Sequence, residues 1–456
     1  MKIQKGKIFQ KSRWFLNPEI IISVLLFINC FVGAYFYSVT SYTIDFFTWW
    51  AVPHSISKGY IKVPYPDDSR KKMAESIKLE IETTKNPNVE KRTFDDVLKY
   101  YEGRITATAS PFFYTVFRFF VGDDYAKDKR KFIFFSVACF AASIFILGRL
   151  LKFSYLFICI FYALLSFWNA SYNSEVRVGN VNQIQLVLIT LFIFFFTKAK
   201  TIYHFFWIGF YLGCVVLFKP NLCFFIFFTF IFSLFHRHIK NTLAFLLGAA
   251  LSSVFVLYQT YSFFKLPFFY EWRSWIESCY ATMSGFFSVS LGNYSLPKMI
   301  SLQFGVDVSL YIFALLIGLF IWVVLTYNRP FQSPFSKTLE PVNEENSKVD
   351  AFFIASFASL TMLLGSKLVW SHYHLMTLPV FLYLMRPQIE SGYILKSQAF
   401  IKFCTFIAFA FTTQLFVEIF PGQQACALKI NIVAFVLVLL FILDLKPHLF
   451  EKFKRR

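Results

Sequence analysis

Nine polar residues of this chain have the side-chain types needed to act on an anionic substrate: Asp45, Arg177, Asn180, Asn182, Lys219, Asn293, Lys367, His372 and His374. One acid among several cations and amides suits an anionic lipid head group together with a hydroxyl-bearing acceptor. A carboxylate within hydrogen-bond reach of an attacking hydroxyl can take its proton, so Asp45 is the candidate general base. Lysine holds phosphate as a point charge and arginine grips it bidentately, which makes Lys219 and Arg177 candidate phosphate ligands. His372 and His374 stand two apart in WSHYH, so on a helix they face different directions. That spacing argues against a joint metal site and leaves either histidine as a donor to a phosphate oxygen. Each residue also has a plainer role. Asp45 suits a helix N-cap or an ion pair, Lys219 a snorkelling anchor, Arg177 a partner for Glu175, and each histidine a helix end. Glu271 and Glu418 are spare acids, either of which could replace Asp45.

Composition sets where these residues sit. The 456 residues are 57% hydrophobic and only 16% charged, with 65 phenylalanines, and the apolar runs approach membrane-spanning length. The expected fold is an all-α integral membrane protein, a single polytopic domain over 1–456. About twelve spans are expected, near 20–40, 132–148, 153–168, 183–197, 202–218, 220–235, 241–260, 309–327, 351–369, 373–385, 399–418 and 428–445. The net charge of +19 is carried mainly by short loops and termini, which is the positive-inside pattern rather than a nucleic-acid signal. Lys2, Lys5, Lys7, Lys11 and Arg13 place the start in the cytoplasm. Lys446, Lys452, Lys454, Arg455 and Arg456 place the end there too. The first apolar run is too long for a signal-peptide core and reads as an uncleaved span.

The nine residues then fall at outer helix ends or outer loops. The stretch 169–185, NASYNSEVRVGNVNQIQ, carries amides and charges toward the next span, where polar groups must face protein or a wet cavity. It reads equally as a substrate cavity or as a polar loop whose amides bond neighbouring helices. The first outer loop, 41–131, contains Asp45 among Tyr42, Phe46, Phe47, Trp49 and Trp50, which suit the membrane–water boundary. A charged, mobile middle follows from Asp67 to Arg92, with a helical pattern that places Met73, Ile77 and Ile81 on one face. SPFFYTVFRFF reads as an aromatic helix lying on the membrane. A second outer segment runs over 262–308, and 328–350 reads as a flexible cytoplasmic linker. Adjacent acids at Asp67–Asp68, Asp95–Asp96 and Asp123–Asp124 read as helix N-terminal or loop charges rather than metal ligands. Eight cysteines show no CxxC pair, and only Cys279 and Cys426 fall outside, where a disulfide between them is conceivable. The chain lacks a P-loop, a dinucleotide fingerprint and a GxSxG elbow, which disfavours a nucleotide-driven pump.

Four ordered motifs resemble glycosyltransferase family 87, the polyprenyl-phosphate-mannose-dependent mannosyltransferases of GT-C architecture. They are IDFFTWWAVPHSISKGY, VGNVNQIQLVLITL, LFKPNLCFF, and the pair GNYSLPKMI and WSHYHLMTLP. Together they extend from about 41 to 380. By this resemblance Asp45 matches the catalytic first-loop acid. Lys219, with His372 or His374, matches positions near the donor phosphate, and Asn180, Asn182 and Asn293 line the cavity. The chain departs from the pattern at Ser110–Pro111, where a Pro-Pro pair is usual, at Tyr294, and in a longer first-loop insert. The resemblance implies transfer of a sugar, mannose, from a polyprenyl-phosphate donor to a glycolipid or glycan acceptor at the bilayer, with neither cofactor nor metal. The expected site is the extracytoplasmic face of a bacterial plasma membrane. A transporter or flippase of lipid-linked oligosaccharides, a polyprenyl-diphosphate glycan ligase or polymerase, and a catalytically dead assembly subunit are the competing readings.

Overall fold

The computed structural model describes residues 18–41, 43–83, 91–237, 239–283, 293–326, 344–387, 394–413 and 423–445. The basic clusters at both ends, Tyr42, Glu418 and most of the linker over 328–350 lie outside the described residues. The described chain is helical, and its only β pairings are two isolated bridges. The helices are α1 (Pro18–Val39), α2 (Ile44–Ser57), α3 (Asp67–Thr83), α4 (Lys91–Tyr100), α5 (Pro111–Phe117), α6 (Tyr125–Leu150), α7 (Tyr155–Trp168), α8 (Ala170–Val178), α9 (Asn182–Lys198) and α10 (Ile202–Phe218). They continue with α11 (Cys223–His236), α12 (Ile239–Phe264), α13 (Tyr270–Met283), α14 (Leu296–Phe304), α15 (Ser309–Thr326), α16 (Glu344–Gly365), α17 (Leu378–Met385), α18 (Ile394–Ala410) and α19 (Gln423–Leu445).

Among the described residues six helices are long and apolar enough to cross a membrane: α1, α6, α12, α15, the Asn346–Gly365 part of α16 and the Cys426–Leu445 part of α19. Shorter apolar helices, α7, α9, α10, Pro220–His236 and the Gln398–Ala410 part of α18, accompany them. The protein is therefore an all-α, multi-pass membrane protein. α1 presents Ile21, Ile22, Leu25, Ile28, Val32 and Phe36 outward, the surface a bilayer would cover. The tenth expected span does not form as one helix. Ser371–Thr377 is a 3₁₀ turn and α17 has only 8 residues, about 12 Å of rise, too short for a crossing.

Local chemistry sets the helix boundaries. Asp124, Ser154 and Asn169 each accept a backbone N–H three residues on, capping α6, α7 and α8. Ser110 caps α5 in the same way, with Pro111 in the first turn. α10 and α12 cross through small residues. A Cβ at Gly209 would run into the Phe245 carbonyl oxygen, and one at Gly248 into that of Phe206.

The outer layer departs from the sequence reading in two places. Phe46, Phe47, Trp49 and Trp50 do not face the membrane boundary. They are buried in a ring cluster with Phe94, Phe113, Phe117, Tyr125 and Phe132. α5 likewise buries Phe112, Phe113, Tyr114 and Phe117 instead of lying on the bilayer. Aromatic area of this size stabilises more when packed against rings than when left at an interface. The charged stretch from Asp67 forms α3, which packs Met73 and Ile77 against the core. Cys279 and Cys426 are free thiols, not a disulfide.

At the end of the bundle away from Asp45, ion pairs tie helices together. Arg237 reaches Asp350 at 3.1 Å with both side chains buried, and Arg386 reaches Asp444 at 2.9 Å. Removing one member of a buried pair strands the other charge. Asp350→Ala should therefore lower stability by about 3–5 kcal/mol. An Arg237→Met, Asp350→Leu double variant should lose clearly less than the sum of its single changes. Thermal melts of the purified variants check both, and additive losses would contradict the pairing.

Candidate functional site

The junction between α8 and α9 organises the site. α9 begins without a side-chain cap of its own at Val181. Glu175, one turn before the end of α8, supplies it from a distance. Its Oε1 accepts the backbone N–H of Asn182 at 2.7 Å and of Gln183 at 3.2 Å, and its Oε2 accepts Asn182 Nδ2 at 2.9 Å. The first N–H groups of a helix need partners, and the Glu175 carboxyl oxygens supply them. Glu175 is fully buried, and burial pushes its carboxyl up to about 8, against the lowering effect of its three donors.

Between the two helices Gly179 adopts φ 68°, ψ 43° and ends α8. A Cβ there would lie 2.8 Å from Thr43 Cβ and 3.2 Å from Phe46 Cβ. Glycine is thus required twice, by the left-handed backbone and by the close approach of α2. Thr43 donates its N–H to the Arg177 carbonyl at 3.0 Å, and its hydroxyl lies 3.3 Å from the Tyr125 hydroxyl. These contacts set α2 directly on the α8–α9 turn.

Asp45, in the first turn of α2, consequently meets Asn180, whose Nδ2 donates to Asp45 Oδ2 at 2.6 Å. The amide oxygen of Asn180 accepts the Val181 N–H at 2.7 Å, which fixes the amide's orientation. Lys219, between α10 and the 3₁₀ turn Pro220–Leu222, faces the same place. Its Nζ lies 5.4 Å from the Trp49 ring centre and 5.5 Å from that of Phe113. The Ser110 hydroxyl donates to the Leu217 carbonyl at 2.6 Å, which pins α5 to the end of α10 beside this lysine. Asp45 and Lys219 are each partly exposed. Burial raises the Asp45 carboxyl to about 6, opposed by Asn180 and Lys219. Burial lowers the Lys219 ammonium to about 8, opposed by Asp45 and Glu175.

The Ser371–Thr377 turn closes another side. Ser371 donates to the Ser174 hydroxyl at 2.7 Å, joining this turn to α8. His372 and His374 are buried, and the Nε2 of each lacks a hydrogen-bond partner. Burial holds both imidazoles down at about 3, and Lys219 adds to the effect on His372. Both rings are therefore neutral at physiological pH. Each offers either one N–H donor or one acceptor, not a cation.

Asp45, Asn180, Lys219 and His372 thus form one electrostatic cluster, and the remaining sequence candidates take other roles. Arg177 is exposed, does not pair with Glu175 and acts on His372 through its charge. Asn182 is buried and donates to Glu175. Asn293 is a structural clamp. Its Nδ2 donates to the Lys367 carbonyl, and its Oδ1 accepts the N–H of Val369 and Ser295. Lys367 forms an exposed ion pair with Asp307 at 2.5 Å. Sequence reasoning passed over Glu175 as a cap, Trp49 and Phe113 as the faces against Lys219, and Ser110 as a tether. Only the carboxylate and amides crowded into 169–185 could have hinted at the first. The acid pairs divide as caps and ion pairs: Asp67 with Arg104, Asp123 with Lys58, and Asp124 as the α6 cap.

Two outcomes follow from this geometry. Gly179→Ala forces Thr43 and α2 aside, and should lower stability by about 1–3 kcal/mol in thermal melts. Because the folded Asp45 carboxyl titrates near 6 instead of the ordinary 3.8, folding loses stability as pH rises between those values. Asp45→Asn removes that loss. The variant should match the wild type below about pH 4 and melt higher above about pH 6. With solvent screening of a half-buried group, the gain is on the order of 1–2 kcal/mol. Equal melting at pH 7.5 would show that Asp45 is not desolvated.

No protein-family model, curated protein or solved structure matches this chain.

Proposed function

We propose that the protein is a membrane glycosyltransferase of the GT-C kind, related to the polyprenyl-phosphate-mannose-dependent family 87. In this reading it moves a sugar, mannose, from a polyprenyl-phosphate donor to a lipid-linked or cell-surface glycan on the extracytoplasmic face. The observation that carries the reading is a raised carboxylate beside a lowered, ring-faced ammonium, each acting on the other and each partly exposed. A general base works best when its pKa lies near the working pH, and burial brings Asp45 toward that range. Asn180 holds the carboxylate through one oxygen, leaving the other to face an acceptor hydroxyl.

In the proposed reaction the acceptor oxygen bonds to the anomeric carbon while the bond from that carbon to the phosphate oxygen breaks. The hydroxyl proton passes to Asp45. The pair of electrons from the broken bond stays with the polyprenyl phosphate. Lys219 stabilises the charge growing on that leaving group, and a preorganised cation at such a place contributes strongly. Neutral His372 donates a hydrogen bond to the same phosphate. Arg177, exposed at the rim, attracts the anionic head group before it seats. The shorter apolar helices cross the bilayer as well, and the donor chain lies among them.

The test is transfer from radiolabelled polyprenyl-phosphate-mannose to the host's own glycolipids by purified protein in chelator. Asp45→Ala should lower turnover at least about 100-fold while the protein stays folded. Full turnover by that variant would remove Asp45 as the base. The pH profile gives an independent check. Activity should rise through about pH 6 as Asp45 loses its proton, and fall above about pH 8 as Lys219 loses its own. Lys219→Arg should retain activity and abolish the alkaline fall, because arginine keeps its charge. An unchanged alkaline limb in that variant would exclude Lys219 as its source.

A further inference from the structure

α12 carries an exposed stripe at helical spacing. Leu243, Leu247, Leu251, Val254, Tyr258 and Tyr261 recur along one face, and all are exposed. The stripe changes character along its length. Its first four members are aliphatic and its last two are tyrosines. Tyr258 stands about 29 Å of rise beyond Ile239, close to the thickness of a hydrocarbon core, and tyrosine is a side chain that settles at that boundary.

α12 runs beside α10 in the same direction, since Gly209 meets Phe245 and Gly213 meets Ala249 and Ser252. Its last turn therefore lies at the end of the bundle where α10 delivers Lys219. There the chain leaves the helix through a costly turn. Lys265 donates its N–H to the Tyr261 carbonyl at 2.8 Å and has φ 54°. Phe268 and Phe269 follow at φ 53° and 52°. Left-handed backbone is glycine's region and is unfavourable for any residue with a Cβ. Phe268 is nevertheless 99% exposed, and Phe269 and Tyr270 are exposed too. Strained backbone persists where its surroundings hold it, yet the protein packs nothing on the Phe268 ring. At the same end the Arg118 guanidinium lies 5.2 Å from the ring centre of Phe263 and 5.4 Å from that of Phe119, which is also exposed.

We infer that Phe268 and Phe269 form a wedge that enters the lipid leaflet on the Asp45 side of the bundle, with Tyr270 at its rim. The stripe of α12 names the occupant. It is a surface that a bilayer covers, it passes from aliphatic to tyrosine at membrane depth, and the wedge continues it past the end of the helix. A leaflet takes the rings out of water and supplies the contacts that the protein does not. The charges of Arg118 and Lys265 then fall at the level of the lipid phosphates, with their stems along the apolar layer. The 26 residues of α12 rise about 39 Å, so the helix alone carries the chain beyond the hydrocarbon core. The left-handed turn is what brings apolar rings back to it.

The test uses the full-length protein in phosphatidylcholine nanodiscs that hold a diazirine-bearing phosphatidylcholine, with the diazirine either near the glycerol or at mid-chain. Adducts are mapped by mass spectrometry after illumination. The shallow probe should label Phe268, Phe269 and Tyr270, and the mid-chain probe should label Leu247 and Val254 instead. A Phe268→Asp, Phe269→Asp double variant should lose shallow labelling of the wedge by about tenfold. Its mid-chain labelling of α12 should be unchanged, which shows that the span still forms. Phe268→Trp should keep the shallow labelling, because indole suits the same layer. Absence of wedge adducts in discs where α12 is labelled would overturn the inference. So would labelling of the wedge by a water-soluble diazirine as strongly as exposed Glu277 on α13. None of these readouts depends on glycosyl transfer.

Discussion

The carboxylate of Glu175 accepts three hydrogen bonds at the start of α9, and the placement of the groups around Asp45 follows from that cap. With α9 held there, the turn before it must reverse in the two residues Gly179 and Asn180 plus Val181. Gly179 makes the reversal and leaves room for Thr43, so α2 settles on the turn. Asp45 then has one position open to it, against Asn180. Losing the Glu175 carboxylate would leave buried N–H groups without partners, a penalty of about 1–3 kcal/mol for each. That loss would act on Asp45 although the two side chains share no hydrogen bond.

The placement of Asp45 beside Lys219 costs stability. Asp45 and Lys219 would each be more comfortable in water, and each is moved toward neutrality by burial. Their mutual attraction recovers part of that loss. The rings of Trp49 and Phe113 give the ammonium a favourable surface without supplying an acceptor that would occupy it. The two histidines extend the same pattern, since their unpartnered Nε2 atoms are polar groups kept ready inside an apolar frame. Further buried polar atoms without partners stand at the start of α9, among them Asn182 Oδ1, Gln183 Oε1 and both amide atoms of Gln185.

Much of the fold was legible from hydrophobic periodicity, because a bilayer requires long apolar helices and punishes anything else. The limits came where burial is supplied by protein instead of lipid. The aromatic residues of α2 and α5 have the composition of an interface belt, yet Phe94, Tyr125 and Phe132 arrive from elsewhere in the chain to cover them. No local pattern announces that. WSHYHLMTLP reads as the start of a span, but the 3₁₀ turn takes it over, tied by Ser371 to α8 and by Trp370 to Asn293. Asp45, Asn180 and Lys219 could be singled out by residue type and by their places at helix ends. That Lys367 would choose Asp307, and that Asn293 would spend its amide on backbone, depends on distances no spacing encodes.

The hydrogen bond between Asp45 and Asn180 joins residues 135 positions apart. Ribosomes add about 5–20 residues each second, so the segment carrying Asp45 waits about 7–27 s before its partner exists. The rings that cover Phe46, Phe47, Trp49 and Trp50 lie at 94–132 and are made within that interval. The nearest early cover of α2 comes from α4, α5 and the start of α6, which emerge first. The segment after α2, through the start of α6, therefore carries the rings that cover α2, so the aromatic helix takes its cover from nearby sequence while Asp45 takes its partner from afar.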